Sequence, residues 1–211
     1  MTPHRRRFGE AGYTVAEVLV VCAVVGLVMS GLLSLLMTGT QTYTVGANRA
    51  EAQQSARLVI ARMIQEIRTA GHDPRSTNFT AITPLAPPNV GFTIGNDWNA
   101  TGAVETNLAV AFNGANRGEQ ITYTVVGTAL RRQESFLETS PVEVTDALSA
   151  ITFQYLDVDD NVIASPHVAA NAALIRTVVI TVTTRPDTQA SFTSGQVAVT
   201  TTNRTRVRNR T

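Results

Sequence analysis

The chain has 211 residues, 44% of them hydrophobic, and a formal net charge of +1. That length and apolar share allow one domain of ordinary size plus an appendage, and they exclude wholesale disorder. The near-neutral charge argues against a strongly basic nucleic-acid binder; every basic side chain apart from histidine is arginine.

Residues 1–12, MTPHRRRFGEAG, read as a short polar leader with Arg5, Arg6 and Arg7 in a row. From Val18 to Met37 follow twenty residues without a charge. At a rise of about 1.5 Å per residue, a helix of this length crosses a hydrocarbon layer of about 30 Å. Within lipid the backbone must satisfy its own hydrogen bonds, which makes the segment helical. Arginines before the run and none directly after it predict a cytoplasmic N-terminus, with everything beyond about Thr40 outside the cytoplasm. A cleaved secretory signal is the rival reading, with Val45-Gly46-Ala47 as a passable site. Its apolar region would normally span about 7–15 residues, and this run is longer. The single cysteine, Cys22, lies inside the apolar run, permits no intramolecular disulfide, and reads as a small apolar side chain facing lipid or a helix.

The helical pattern continues past the apolar run. Ala56, Ile60, Met63, Ile64 and Ile67 keep helical spacing, while Glu51, Arg57, Arg62, Gln65, Glu66 and Arg68 supply polar faces. Gly71 offers a C-cap and Pro74 prevents continuation. Tyr13 to about Ala70 is therefore predicted to be one long helix, with Gly39 and Gly46 as weak points costing about 1 kcal/mol each against alanine.

Glu17 stands at the edge of the apolar run, among Val15, Ala16, Val18 and Leu19. A carboxylate in a membrane helix costs about 2.5–3.5 kcal/mol at mid-depth and calls for a partner, yet nothing basic in the same helix lies within one turn. An interfacial residue reaching for headgroups is the plainer reading of Glu17 taken by itself.

The segment Gly12-Tyr13-Thr14-Val15-Ala16-Glu17, between a basic leader and a long apolar run, resembles the cleavage and methylation signal of prepilins. The resemblance implies that a membrane prepilin peptidase cuts after Gly12 and N-methylates Tyr13, leaving Glu17 as fifth residue of the mature chain. It also implies that Glu17 pairs with the terminal amine of a neighbouring subunit during assembly, relieving two poorly solvated charges and fixing register. Most family members carry phenylalanine where Tyr13 stands. Major pilins often have a proline midway along the apolar half, and here none occurs between Pro3 and Pro74, which leans towards a minor component. Gln53-Gln54-Ser55-Ala56-Arg57 and the ending Arg68-Thr69-Ala70-Gly71 are similar to PilW-like minor pilins, whose long helix tends to end on arginine, any residue, alanine, glycine. J-type pseudopilins of type II secretion share the layout. The resemblance covers residues 1–75. Separately, Gly26, Ser30, Ser34 and Thr38 form a small-residue stripe suited to close helix packing.

After Pro74 the texture turns to threonine, valine, proline and glycine. Short strands are expected near Gly91–Ile94 and Leu108–Phe112. Alternation at Ile121, Tyr123 and Val125, a turn at Gly127-Thr128, and a return along Ala129–Gln133 predict a hairpin. Ile151, Phe153 and Tyr155 repeat the pattern, as do Val178, Ile180 and Val182, and a last strand is expected over Gln196–Thr202. The expected fold is α+β and pilin-like: a long N-terminal helix, transmembrane in its first half and amphipathic in its second, packed on an antiparallel sheet of four to six strands. The expected divisions are a leader 1–12, a transmembrane helix 13–38, its amphipathic extension 39–73 and an extracytoplasmic β-rich domain 74–211. Arg204, Arg206, Arg208 and Arg210 alternate with polar residues and read as a solvated edge strand or tail.

No catalytic constellation emerges, so the chain reads as a non-enzyme without a cofactor. Asp157, Asp159 and Asn161 have the first spacings of a calcium loop, but Val162 stands where the loop needs glycine and Val168 where it needs glutamate. A turn between a strand ending at Leu156 and one starting at Val162 is the preferred reading, with the ion left open. His4, His72 and His167 show no metal spacing. Trp98 lies in a polar stretch and reads as partial core, with an exposed adhesive residue as the alternative.

The resemblance implies a structural subunit of a type IV pilus-like filament, priming assembly or sitting at the tip. Implied partners are prepilin peptidase, other major and minor pilins, an inner-membrane assembly platform and membrane lipid, with no nucleic acid. The implied location is the bacterial inner membrane, single-pass, and then the filament. The alternatives are a minor pseudopilin of type II secretion and, of another class, a signal-anchored extracytoplasmic binding domain or enzyme.

Overall fold

The computed structural model describes residues 12–75, 79–112, 114–146, 148–184 and 198–209. His4 and Arg5 to Arg7, together with Gln196 and Arg210, lie outside the described residues. The described chain divides into two units after Thr44.

Helix α1, Val15–Thr69, runs without interruption through 55 residues, Gly39 and Gly46 included. Every side chain from 12 to 44 is exposed, as an apolar segment needing an outside partner would be. The helix is long and apolar enough to cross a membrane by length and composition. From Ala52 onwards the character changes to amphipathic. Ala52, Ala56, Val59, Ile60, Met63 and Ile67 are buried, and Ile64 is half-buried, so the apolar stripe read from the sequence is the face that joins the core. Burying each large apolar side chain of this stripe is worth about 1.5–3 kcal/mol.

Gly71 ends the helix in a left-handed conformation, φ +75°, that only glycine adopts without strain. Its N–H does not close back on the helix but donates to Gly95 O at 2.9 Å, so the stop is made by the sheet.

Ten strands follow among the described residues: β1 Ile82–Pro84, β2 Val90–Gly95, β3 Ala109–Phe112, β4 Ala115–Gly118, β5 Gln120–Val126, β6 Ala129–Glu134, β7 Val142–Thr145, β8 Leu148–Leu156, β9 Thr177–Thr184 and β10 Val199–Arg206. A four-residue helix α2, Ala169–Ala172, precedes β9. The pairings among the described strands are antiparallel, in the orders β1-β2-β5-β6-β7, β10-β9-β8 and β3-β4.

The α+β class is as expected, but the strands exceed the four to six foreseen and form three sheets. Short strands such as β1 and β7 carry too few alternating residues to stand out from loops. The β5–β6 hairpin turns at Gly127-Thr128 as read, with Gly127 at φ +62° and Val126 paired with Ala129. The last strand runs to Arg206 rather than Thr202, because its polar residues Asn203 to Arg206 still pair along β9. No strand begins at Val162; a single bridge joins it to Leu156.

The core gathers the α1 stripe with Phe92 and Ile94 of β2, Tyr123 of β5, Leu130 of β6, Tyr155 of β8, and Val178, Ile180 and Val182 of β9. Phe92 links the two larger sheets, stacking at a tilt on Tyr123 (5.4 Å) and edge-on to Phe153 of β8 (5.0 Å).

Candidate assembly sites

Gly12 and Tyr13 precede the helix in non-helical conformation, and Tyr13 is 87% exposed. Thr14 is the N-cap. Its N–H donates to Glu17 Oε2 at 2.9 Å and its hydroxyl donates to the same oxygen at 3.0 Å. The Glu17 N–H in turn lies 3.3 Å from Thr14 Oγ1. This is a capping box, in which threonine and glutamate three residues apart satisfy each other's orphan donors. No basic residue lies within one turn of Glu17, as read from the sequence, but Thr14 supplies a neutral partner. The spacing Thr14-x-x-Glu17 carries that signal in the sequence. Both donors use Oε2, so Oε1 holds no hydrogen bond among the described residues.

Gly26, Ser30, Ser34 and Thr38 lie exposed along α1. A Cβ added at Gly26 would meet nothing within 4 Å. Ser30 Oγ donates to Leu27 O at 2.8 Å and Thr38 Oγ1 to Ser34 O at 3.0 Å, so these hydroxyls are satisfied within the helix and present small surfaces. Cys22 is exposed on the same helix.

At the other end of α1 the structure shows a cluster that sequence reasoning missed. Glu66 accepts from Tyr123 Oη at 2.7 Å and from Arg132 Nε at 2.9 Å. Arg132 is buried in β6 and also donates to Glu134 Oε2 at 2.5 Å and Glu138 Oε1 at 2.9 Å. Burial alone would ease the proton off Arg132, but the carboxylates of Glu134, Glu66 and Glu138 outweigh it and hold the guanidinium charged. Burial, reinforced by the Glu66 charge, pushes the Tyr123 phenol well above its ordinary value. Glu66 was read as part of a polar face. It sits three residues beyond Met63, on the border of the buried stripe, where a carboxylate can turn inward if a cation waits there.

The loop after β2 is organised by two buried acids. Asp97 accepts from the N–H groups of Thr101 (3.1 Å) and Gly102 (2.7 Å). Glu119 accepts from those of Trp98 (2.9 Å), Asn99 (3.2 Å) and Glu105 (2.8 Å). Burial raises the Glu119 carboxyl above the usual glutamate value, and the neighbouring Glu105 carboxyl adds to the rise while its own value falls. Trp98 is half-buried, with His72 stacked on it at 4.6 Å and the Arg117 guanidinium 5.4 Å from its ring, which accords with the partial-core reading.

Asp157 Oδ1 accepts from the N–H groups of Asp159 and Asn161, each at 2.9 Å, and Asp157 N–H donates to Asn161 O at 3.0 Å. These bonds, that of the Asn161 N–H first, hold the Asp157 carboxyl below its ordinary value. The three residues thus form a closed turn whose leading carboxylate is aimed at main-chain N–H groups. Among the described residues no three acidic, histidine or cysteine side chains converge as metal ligands. His167 is exposed and stands apart.

No family model and no curated protein matches the sequence. Among solved structures the chain is similar to a type IV-like pilin from Thermus thermophilus, at a TM-score of 0.43 and 12% identity. The likeness covers 74% of this chain and 97% of that one.

Proposed function

We propose that the chain is a structural subunit of a type IV pilus-like filament, a minor pilin processed after Gly12 and methylated on Tyr13. The observation that supports this most is local. Gly12 and Tyr13 stand exposed immediately before a 55-residue helix whose first thirty residues bury nothing, and Glu17 lies at its start. A peptidase needs its scissile bond outside regular structure, and the bond between Gly12 and Tyr13 meets that need. An exposed apolar helix needs either lipid or other helices, and a filament subunit uses first one and then the other.

In this reading residues 13–38 span the inner membrane with the leader cytoplasmic, residues 39–73 extend the helix, and residues 74–211 lie outside. The capping box refines the role of Glu17. Oε2 is committed to Thr14, which leaves Oε1 for the methylated α-amine of a neighbouring subunit. A proton-rich amine beside a capped carboxylate in lipid is a well-compensated pair, and it can form in one axial register only. Gly26, Ser30, Ser34 and Thr38 would let neighbouring helices approach closely. The chain's role is assembly and not catalysis, and its partners would be prepilin peptidase, other pilins and the assembly platform.

The test is a pair of substitutions in cells that express a prepilin peptidase and the companion pilins. Gly12→Leu should leave the chain at full length in the membrane. Glu17→Leu should be processed yet absent from sheared filaments. Normal processing of Gly12→Leu would remove the proposal.

A further inference from the structure

Among the described residues the three-stranded sheet ends at β10, and the neighbouring face of α1 is left partly uncovered. A groove of about 560 Å³ runs there, with Ile60, Ala61 and Ile64 as its floor and Thr201 and Asn203 of β10 as its wall. Arg57 and Arg68 stand at its two ends, eleven residues or about 16 Å apart along the helix axis. Both are exposed, and neither has a carboxylate partner among the described residues.

Among the described residues the wall is also an open sheet edge. Val207 N–H donates to Arg176 O, so alternation assigns the main-chain groups of the odd-numbered β10 residues to β9. Those of Thr200, Thr202, Arg204 and Arg206 face away from β9, and the Arg204 N–H donates to Asn203 Oδ1 at 2.7 Å. A strand added at this edge would lie about 4.8 Å from β10, over the uncovered face of α1.

We propose that this groove takes one extended segment of a different polypeptide, which joins β10 as a fourth strand. Its alternate side chains are apolar and rest on Ile60, Ala61 and Ile64. Carboxylates about four to six residues apart, matching the span between the arginines at about 3.3 Å per residue, sit on Arg57 and Arg68. Charge complementarity selects against a second copy of this chain: β10, Val199–Arg206, carries no carboxylate to offer Arg57 and Arg68, and its own Arg204 is already paired with Asp160. The inference stands apart from the proposed processing at Gly12.

The test uses the full chain in detergent micelles and a fluorescein-labelled peptide of about ten residues, alternating valine and threonine, with two glutamates about four residues apart. A matched peptide carries lysine in place of glutamate. Saturable binding is expected, at least about tenfold tighter for the glutamate peptide. Arg57→Ala with Arg68→Ala, both at exposed positions, should erase that preference. Thr202→Pro, at a position whose N–H faces the open edge, should abolish binding while leaving the thermal transition in place. Absence of saturable binding at millimolar peptide, equal binding of the two peptides, or indifference to these variants would overturn the proposal. So would concentration-dependent dimers that Thr202→Pro dissociates, since they would assign the groove to a second copy.

Discussion

Glu66 and Arg132 are 66 positions apart in sequence and meet at 2.9 Å, joining the last turns of α1 to the middle of the five-stranded sheet. Arg132 is nearly inaccessible and satisfies three carboxylates, whereas Arg62, four residues from Glu66 on the helix, is half exposed and 3.7 Å away. The two arginines should therefore behave differently. Arg132→Ala leaves three half-buried carboxylates without their cation and is expected to cost about 2–3 kcal/mol, the buried-pair penalty reduced for their partial exposure. Arg62→Ala should change stability by no more than about 1 kcal/mol. Denaturant midpoints of the detergent-solubilised chain check both, and equal effects would contradict the anchoring role.

Gly71 makes a prediction about backbone and sterics together. A Cβ there would come within 2.8 Å of Ala81 Cβ, on a residue with φ +75°. Gly71→Ala should lose about 1–2 kcal/mol to the left-handed conformation and more to the clash. Adding Ala81→Gly should restore the clash component only, so the double variant should fall between the single variant and the native chain in thermal stability.

Burial and the adjacent Glu105 carboxyl raise Glu119, so the folded chain holds that proton to higher pH than the unfolded chain does. The stabilisation from this group is full below the ordinary glutamate value of 4.5 and declines as pH rises through Glu119's own elevated value. Carboxylate carbon shifts followed by NMR should show Glu105 ionising first and Glu119 later. The reverse order would contradict the assignment.

The turn at Asp157 predicts indifference to calcium. The Oδ1 atom of Asp157 is already filled by two N–H donors, and Asp159 and Asn161 complete a turn rather than a cage. Calcium at about 100 times a presumed dissociation constant would stabilise a true site by about 2.7 kcal/mol. No shift of the thermal midpoint between chelator and millimolar calcium is expected.

How far the sequence foretold these features depended on the range of the interaction. The α1 helix, its amphipathic stripe and the glycine stop were legible because helical periodicity and caps are local. The strands at Ile121–Val125, Ile151–Tyr155 and Val178–Val182 were legible from alternation of two. The division into three sheets was not, since pairing such as β2 with β5 joins strands separated by the β3–β4 hairpin, which forms a sheet of its own. Glu66 looked like surface because its partners Tyr123 and Arg132 come from other elements, whereas the Thr14–Glu17 capping box was local and could have been read.

The central claim concerns the bond between Gly12 and Tyr13, and it is tested most directly by the mass of the N-terminal peptide of the membrane-extracted chain. The protein should be isolated with and without a co-expressed prepilin peptidase. A chain that begins at N-methylated Tyr13 only when the peptidase is present is the predicted result. A chain still beginning at Met1 in the presence of the peptidase, or cut near Ala47, would contradict the filament-subunit account.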